Sequence, residues 1–180
     1  MHPIKLIPND FEIIELENES IKIPKCNILF KQWTGTPVKE TFGGKPIVSL
    51  GNQPMFAEIA ILNLFLADGW KARWVQTYGR GKGAPKFLAS WIDDKYKNQE
   101  DIPFSNIKIM DMLSEIKSQN SNSYSGCWDV LGWKNDKVIF AEAKKSKKDQ
   151  MRPTQYKWLN AGLNYGLKPE NFLIVEWEFK

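Results

Sequence analysis

The sequence predicts an α/β protein, with helices layered on one mixed sheet in the order helix, strand, excursion, β-hairpin, helix, strand. Three observations carry that expectation. Residues 54–67 are apolar on nearly every helical face, as in a helix buried on most sides. Residues 127–133 and 137–144 are two strand-like runs separated by Asn135-Asp136, a pair able to close a two-residue hairpin. Residues 171–179 (NFLIVEWEF) read as a final strand behind a helix opened by Arg152-Pro153.

Taken in order, residues 1–50 read as strands and turns that extend a core domain formed by residues 51–180. Within them, 11–16 and 21–23 suit a ribbon, and Gly35, Pro37, Gly43, Gly44 and Pro46 break up the remainder. The helix over 54–67 has Pro54 at a first-turn position and ends at Gly69. Aromatic and β-branched content predicts a strand over 70–78, followed by the basic loop Gly79-Arg80-Gly81-Lys82-Gly83. Residues 87–97 read as helical. Ile109, Met112, Leu113 and Ile116 recur with helical spacing within 106–117. After the hairpin, the last helix runs from 152 to about 165 and stops at Gly166.

Composition narrows the chemistry. The chain of 180 residues is 42% hydrophobic with a formal net charge of +4, which describes one compact core and only modest attraction for polyanions. Cys26 and Cys127 have neither CxxC nor Cys/His spacing, so neither a zinc site nor a disulfide scaffold is expected. The sole histidine, His2, is at the terminus, and any catalysis must run without a histidine base or a Ser/His or Cys/His pair. The N-terminus lacks a signal-peptide pattern and the longest apolar run, 59–67, is too short to span a bilayer. A soluble cytoplasmic protein with no membrane association is expected.

The hairpin register brings two acids together. With Asn135 and Asp136 as the loop, Lys134 pairs with Lys137, Leu131 with Phe140, and Asp129 with Glu142. Opposed residues share a sheet face with Cβ atoms roughly 4.5–5.5 Å apart. Strand alternation adds Lys144 to the face of Glu142, and turns Ala141 and Ala143 toward the other face, where a helix can pack closely. Opposed carboxylates on a strand as apolar as VIFAEA need compensation, which a divalent cation with oxygen ligands provides. A one-residue slip would separate the acids onto opposite faces. Acid, spacer and Glu-x-Lys alone is a weak pattern, and its alternative is solvated charge on a surface strand.

These residues resemble the PD-(D/E)XK nuclease superfamily, and most of all its virus-type replication-repair branch, VRR-NUC. The resemblance rests on Gly126-Cys-Trp-Asp129, Phe140-Ala-Glu142-Ala-Lys144, Lys147-Lys-Asp149 and Pro153-Thr-Gln155-Tyr-Lys-Trp158, with Gly162 closing the stretch. Trp128 stands where that family carries proline. The match covers about residues 126–178 plus an upstream helix, and the first fifty residues match no family pattern.

The resemblance implies a restriction-endonuclease-like core and a DNA endonuclease working in repair, recombination, phage or defence. It implies one or two Mg²⁺ or Mn²⁺ ions held by Asp129 and Glu142 beside the Ala143 carbonyl, with Lys144 at the attacking water and Gln155 positioning that lysine or a phosphate. A further acid from the preceding helix is expected, and Glu58 is the only charged residue between Lys45 and Asp68. Its alternative partners are the helix end or Arg73, and the alternative for Gln155 is a solvated helix side chain. Arg80, Lys82, Lys145, Lys147 and Lys148 are candidate phosphate contacts, against the alternative of a solvated face. The GRGKG loop is no Walker A motif, because Gly83 follows Lys82. Small members of this fold often pair, so a homodimer is expected. The rival readings are a catalytically silent nuclease-fold module that binds nucleic acid, and a structural or partner-binding α/β domain.

Overall fold

The computed structural model describes residues 2–16, 19–77, 85–102 and 104–180. They form a mixed α/β fold of three helices and nine strands. The strands are β1 (Asp10–Glu15), β2 (Ser20–Gln32), β3 (Val48–Leu50), β4 (Gln53–Met55), β5 (Lys71–Gln76), β6 (Lys86–Leu88), β7 (Val130–Lys134), β8 (Lys137–Lys145) and β9 (Phe172–Phe179). The helices are α1 (Ala57–Ala67), α2 (Ile107–Gln119) and α3 (Pro153–Tyr165).

All nine strands join one sheet in the order β4-β3-β2-β9-β8-β7-β5-β6, with β1 attached to β2. Pairing is antiparallel except at β2–β9 and β8–β9. A parallel neighbour demands a crossover, and α3 supplies the one between β8 and β9. Residues 1–50 are built into this sheet: β2 lies directly beside β9, pairing Lys25 with Ile174 through Phe30 with Phe179.

Two buried clusters divide the core by sheet face. On one face α1 packs through Ile59, Ile61, Leu62 and Phe65 against Trp74, Val130, Ala141 and Val175. On the other, α2 and α3 bring Leu113, Ile116, Trp158 and Leu159 against Leu131, Phe140, Phe172 and Ile174. The close seat of α1 has a visible cause. A Cβ on Gly132 would lie 2.4 Å from the Phe65 ring, so only glycine lets the helix approach β7 there.

The β7–β8 register is the one expected from the loop, running from Lys134 opposite Lys137 to Val130 opposite Ala141. Asn135 takes the left-handed conformation at φ 55, which asparagine tolerates. Lys134 at this corner donates to the Asp68 carbonyl at the end of α1, 2.6 Å away. The last helix begins with Pro153 and stops at Gly166, at φ 109.

Three elements differ from the sequence expectation. Pro54 is not in α1 but pairs with Ser49 in a small hairpin, closed by Gly51 and Asn52 at φ 58 and 60. Two consecutive left-handed residues make the tight turn that suits strand twist, so the helix starts only at Ala57. Residues 87–97 are not helical: β6 pairs with β5, and a single 3-10 turn covers Tyr96–Asn98. Gln99, 4% exposed, accepts from the Ile92 N–H and donates to the Ile92 and Asp94 carbonyls. Those side-chain bonds take backbone groups that a helix would need. Finally, β2 continues to Gln32, well beyond the short ribbon partner expected at 21–23.

Candidate active site

The alternation of β8 turns Glu142 and Lys144 to the α3 side, where both are buried, at 2% and 8% exposure. The strand is central, flanked by β7 and β9, so neither side chain can escape into solvent by an edge. Gln155, third residue of α3, comes down on the same spot and is 9% exposed. Lys144 Nζ donates to Glu142 Oε1 and to Gln155 Oε1, each at 3.0 Å. Gln155 Nε2 donates to the same Glu142 oxygen. The Gln155 carbonyl oxygen of the side chain also accepts the Arg152 N–H at 2.8 Å, capping α3 and fixing the amide orientation together. Gln155 is therefore a buried link in the site, not a solvated helix side chain.

Asp129 sits one residue before β7, its own carbonyl accepting the Val75 N–H. It reaches Glu142 by backbone as much as by opposition. Its N–H donates to Glu142 Oε2 at 3.2 Å, and its Oδ2 accepts the Ala143 N–H at 3.0 Å. The two acids thus converge as the register implies, with Asp129 bent off the ladder.

Gly126 sets the distance between the turn before β7 and α3. It stands at φ +81, and a Cβ there would fall 2.0 Å from the Thr154 carbonyl oxygen and 2.8 Å from the Gln155 nitrogen. Gly126→Ala is expected to cost about 2–4 kcal/mol from backbone strain and forced displacement of α3. A urea titration measures it, and an unchanged midpoint would show that α3 can shift freely.

These groups floor a cleft of about 1020 Å³ lined by Glu58, Asp129, Glu142, Lys144, Gln155 and Lys45, among others. Glu58, in the first turn of α1, enters it from the other side of the sheet. Its partner is Lys45, with which it forms an ion pair. Arg73, the partner considered from sequence, instead donates to the Ile102 and Ala72 carbonyls. Lys45 has no motif to reveal it: it stands in a loop of the first fifty residues, 13 positions before Glu58 and far along the chain from Asp129 and Glu142.

Burial pushes the Asp129 carboxyl well above the ordinary carboxylate range, and the charges of Glu142 and Glu58 push it the same way. Lys45 and the Ala143 N–H oppose that rise without cancelling it. Burial also raises Glu142, with Lys144 offsetting part of the effect. For Lys45, burial works against its charge, but Glu58, Asp129 and Glu142 outweigh it and hold the ammonium above its ordinary value. The two acids therefore hold their protons more tightly than free carboxyls, and a bound cation would favour ionising both.

The oxygen-only donor set suits a hard divalent ion such as Mg²⁺ or Mn²⁺. Asp129 and Glu142 share one spot, and Ala143 lines the same cleft. No group of three His, Cys, Asp or Glu side chains among the described residues is gathered closely enough to hold an ion. Glu58 is turned to Lys45 and does not complete such a triad.

Of the lysine run, Lys144 and Lys148 line the cleft. Lys145 lies over the rings of Trp177 and Phe179, at 5.2 and 4.5 Å, and Lys147 is exposed with its backbone at φ 60. Arg80 and Lys82 fall outside the described residues. Cys26 and Cys127 are free and buried. No helix among the described residues is long and apolar enough to cross a membrane. Comparison with known proteins finds no matching family model, no matching curated protein and no matching solved structure.

Proposed function

We propose that the chain is a metal-dependent DNA endonuclease with a restriction-endonuclease-like core, of the PD-(D/E)XK kind and most like VRR-NUC. One observation carries the reading. Asp129, Glu142, Lys144 and Gln155 come from the bend before β7, from β8 and from α3, yet their polar atoms converge on the floor of one open cleft. A structural ion pair needs no such cleft, and a buried pair of acids is costly without a further cation.

Asp129 and Glu142 would hold Mg²⁺ or Mn²⁺, with Ala143 beside them. When bound, such an ion polarises a scissile phosphate and lowers the pKa of a water. The chain's own part is positioning. Two of the three Lys144 N–H donors are taken by Glu142 and Gln155, which leaves the third for a group bound in the cleft that Lys144 lines. There it orients an attacking water and stabilises the negative charge that develops on the phosphoryl oxygens. Gln155 keeps the ammonium from swinging away, because its own amide is locked to the α3 N-terminus. Lys148, at the cleft edge, offers a phosphate contact further along the strand.

Incubation of supercoiled plasmid with the protein and Mg²⁺ or Mn²⁺ tests the reading against that of a silent binding module. Cleavage is expected, and Lys144→Ala should slow it about 10²–10³-fold. Binding of DNA with no cleavage under either metal would favour the silent module.

A further inference from the structure

The first fifty residues deliver a second lysine to the acid cluster, and they do so by a built device. The Asp93 carboxylate accepts the N–H groups of Lys39 and Glu40 at 2.8–2.9 Å, pinning one end of the loop. Phe42 pins its middle: the backbone is left-handed at φ 48, and the ring packs edge-on against Trp74 and Trp91 at 5.9 and 5.7 Å. The loop then closes on itself, with the Lys45 N–H donating to the Thr41 carbonyl at 2.9 Å. Lys45 consequently leaves the loop at a fixed point. Its ammonium lies over the Trp74 ring at 5.4 Å and pairs with Glu58 in the cleft.

We infer that Lys45 is the resident second cation of this site, neutralising Glu58 so that Asp129 and Glu142 take a single divalent ion. The inference rests on the nuclease reading above and adds to it the number of ions and the role of Glu58.

Charge balance supports it. Elsewhere in the cleft lining, Glu40 and Asp149 balance Lys148 and Arg152. With every group ionised, as ion binding would require of Asp129, three carboxylates (Glu58, Asp129, Glu142) face two ammonium groups (Lys45, Lys144) and leave one net negative charge. One divalent ion turns that into one positive charge, which a phosphodiester neutralises. A second ion would leave a surplus of positive charge beside two lysines at short range, against a floor of buried side chains where repulsion is less screened than in water. Geometry agrees, since the described acids do not form a three-ligand group and the Glu58 carboxylate is already engaged. Lys45 is thus a positioning residue: it acts on the ion through Glu58 and through the field on the acid pair.

The test is Mn²⁺ binding, followed by calorimetric titration of the full chain without nucleic acid. One Mn²⁺ is expected in the wild type and in Lys45→Arg, which keeps the charge. Lys45→Met should release Glu58 and bind two Mn²⁺, and adding Glu58→Gln to it should restore a single ion. Glu58→Gln alone, which does not depend on the folding of the Lys45 variant, should still bind one Mn²⁺ but more weakly than wild type, because Lys45 is left uncompensated beside the ion. Failure of the Lys45→Met/Glu58→Gln pair to bind Mn²⁺ would make Glu58 a ligand and overturn the inference, because a group that acts only through its charge is dispensable once Lys45 is neutral too. Two ions in the wild type, or one ion with unchanged affinity in Lys45→Met, would also overturn it while leaving the nuclease reading intact. Absence of Mn²⁺ binding in wild type would remove both.

Discussion

Glu142→Gln is expected to abolish Mg²⁺- or Mn²⁺-dependent plasmid cleavage and to weaken divalent-ion binding by at least about 100-fold. The substitution keeps the shape and removes the charge. Lys144 and Gln155 both donate to Glu142 Oε1, and an amide oxygen still accepts from them. What it cannot reproduce is the second oxygen, which accepts the Asp129 N–H, because an amide nitrogen only donates. That lost contact is offset by relief from the buried repulsion between the two acids. Stability of the metal-free protein should therefore change by no more than about 1 kcal/mol, the net worth of one hydrogen bond. The dissociation between a preserved urea midpoint and lost ion binding identifies a ligand. Cleavage that survives Glu142→Gln would sink the assignment, as would an unchanged Mn²⁺ affinity.

The parts of this site that could be read from the sequence are those fixed by local geometry. A two-residue loop determines every partner in the β7–β8 hairpin, so the neighbourhood of Asp129, Glu142 and Lys144 follows from counting. Likewise Pro153 marks the first turn of α3 and places Gln155 at its third residue, facing the strand that precedes it. Where pairing depends on distant residues, the pattern is silent or misleading. Pro24 interrupts an otherwise strand-like stretch, yet it lies opposite Phe11, beyond the Lys25–Phe30 stretch that pairs with β9. The Asp93, Asp94 and Gln99 side chains bond to backbone and unmake the helix expected over residues 87–97. Lys45 is the clearest case, because its position depends on Phe42 adopting a left-handed backbone against the rings of Phe56, Trp74, Trp91 and Tyr96. No short-range rule encodes that arrangement.

The metal-free protein should lose stability as pH rises from the ordinary carboxylate range, about 4, toward neutrality, and a divalent ion should restore it. Folding raises the Asp129 carboxyl through burial and through the charges of Glu142 and Glu58, and raises Glu142 through burial. An acid with a raised pKa binds its proton more tightly when folded. Its contribution is fully present below the unfolded pKa and is lost as pH climbs through the folded one. Exposed acids work in the opposite direction, since Asp10, Asp93 and Asp94 are held below their ordinary values by hydrogen bonds. They are common to wild type and Asp129→Asn, so the difference between the two proteins isolates the site. Urea midpoints across this range should show Asp129→Asn gaining on wild type as pH rises. Mn²⁺ at about a hundred times its dissociation constant should then stabilise wild type by about 2.7 kcal/mol at neutral pH. The gain should shrink in acid, where protons compete for the same oxygens. An Asp129→Asn profile parallel to wild type, with equal stabilisation by Mn²⁺ at both ends, would mean that Asp129 neither carries the buried charge nor meets the ion.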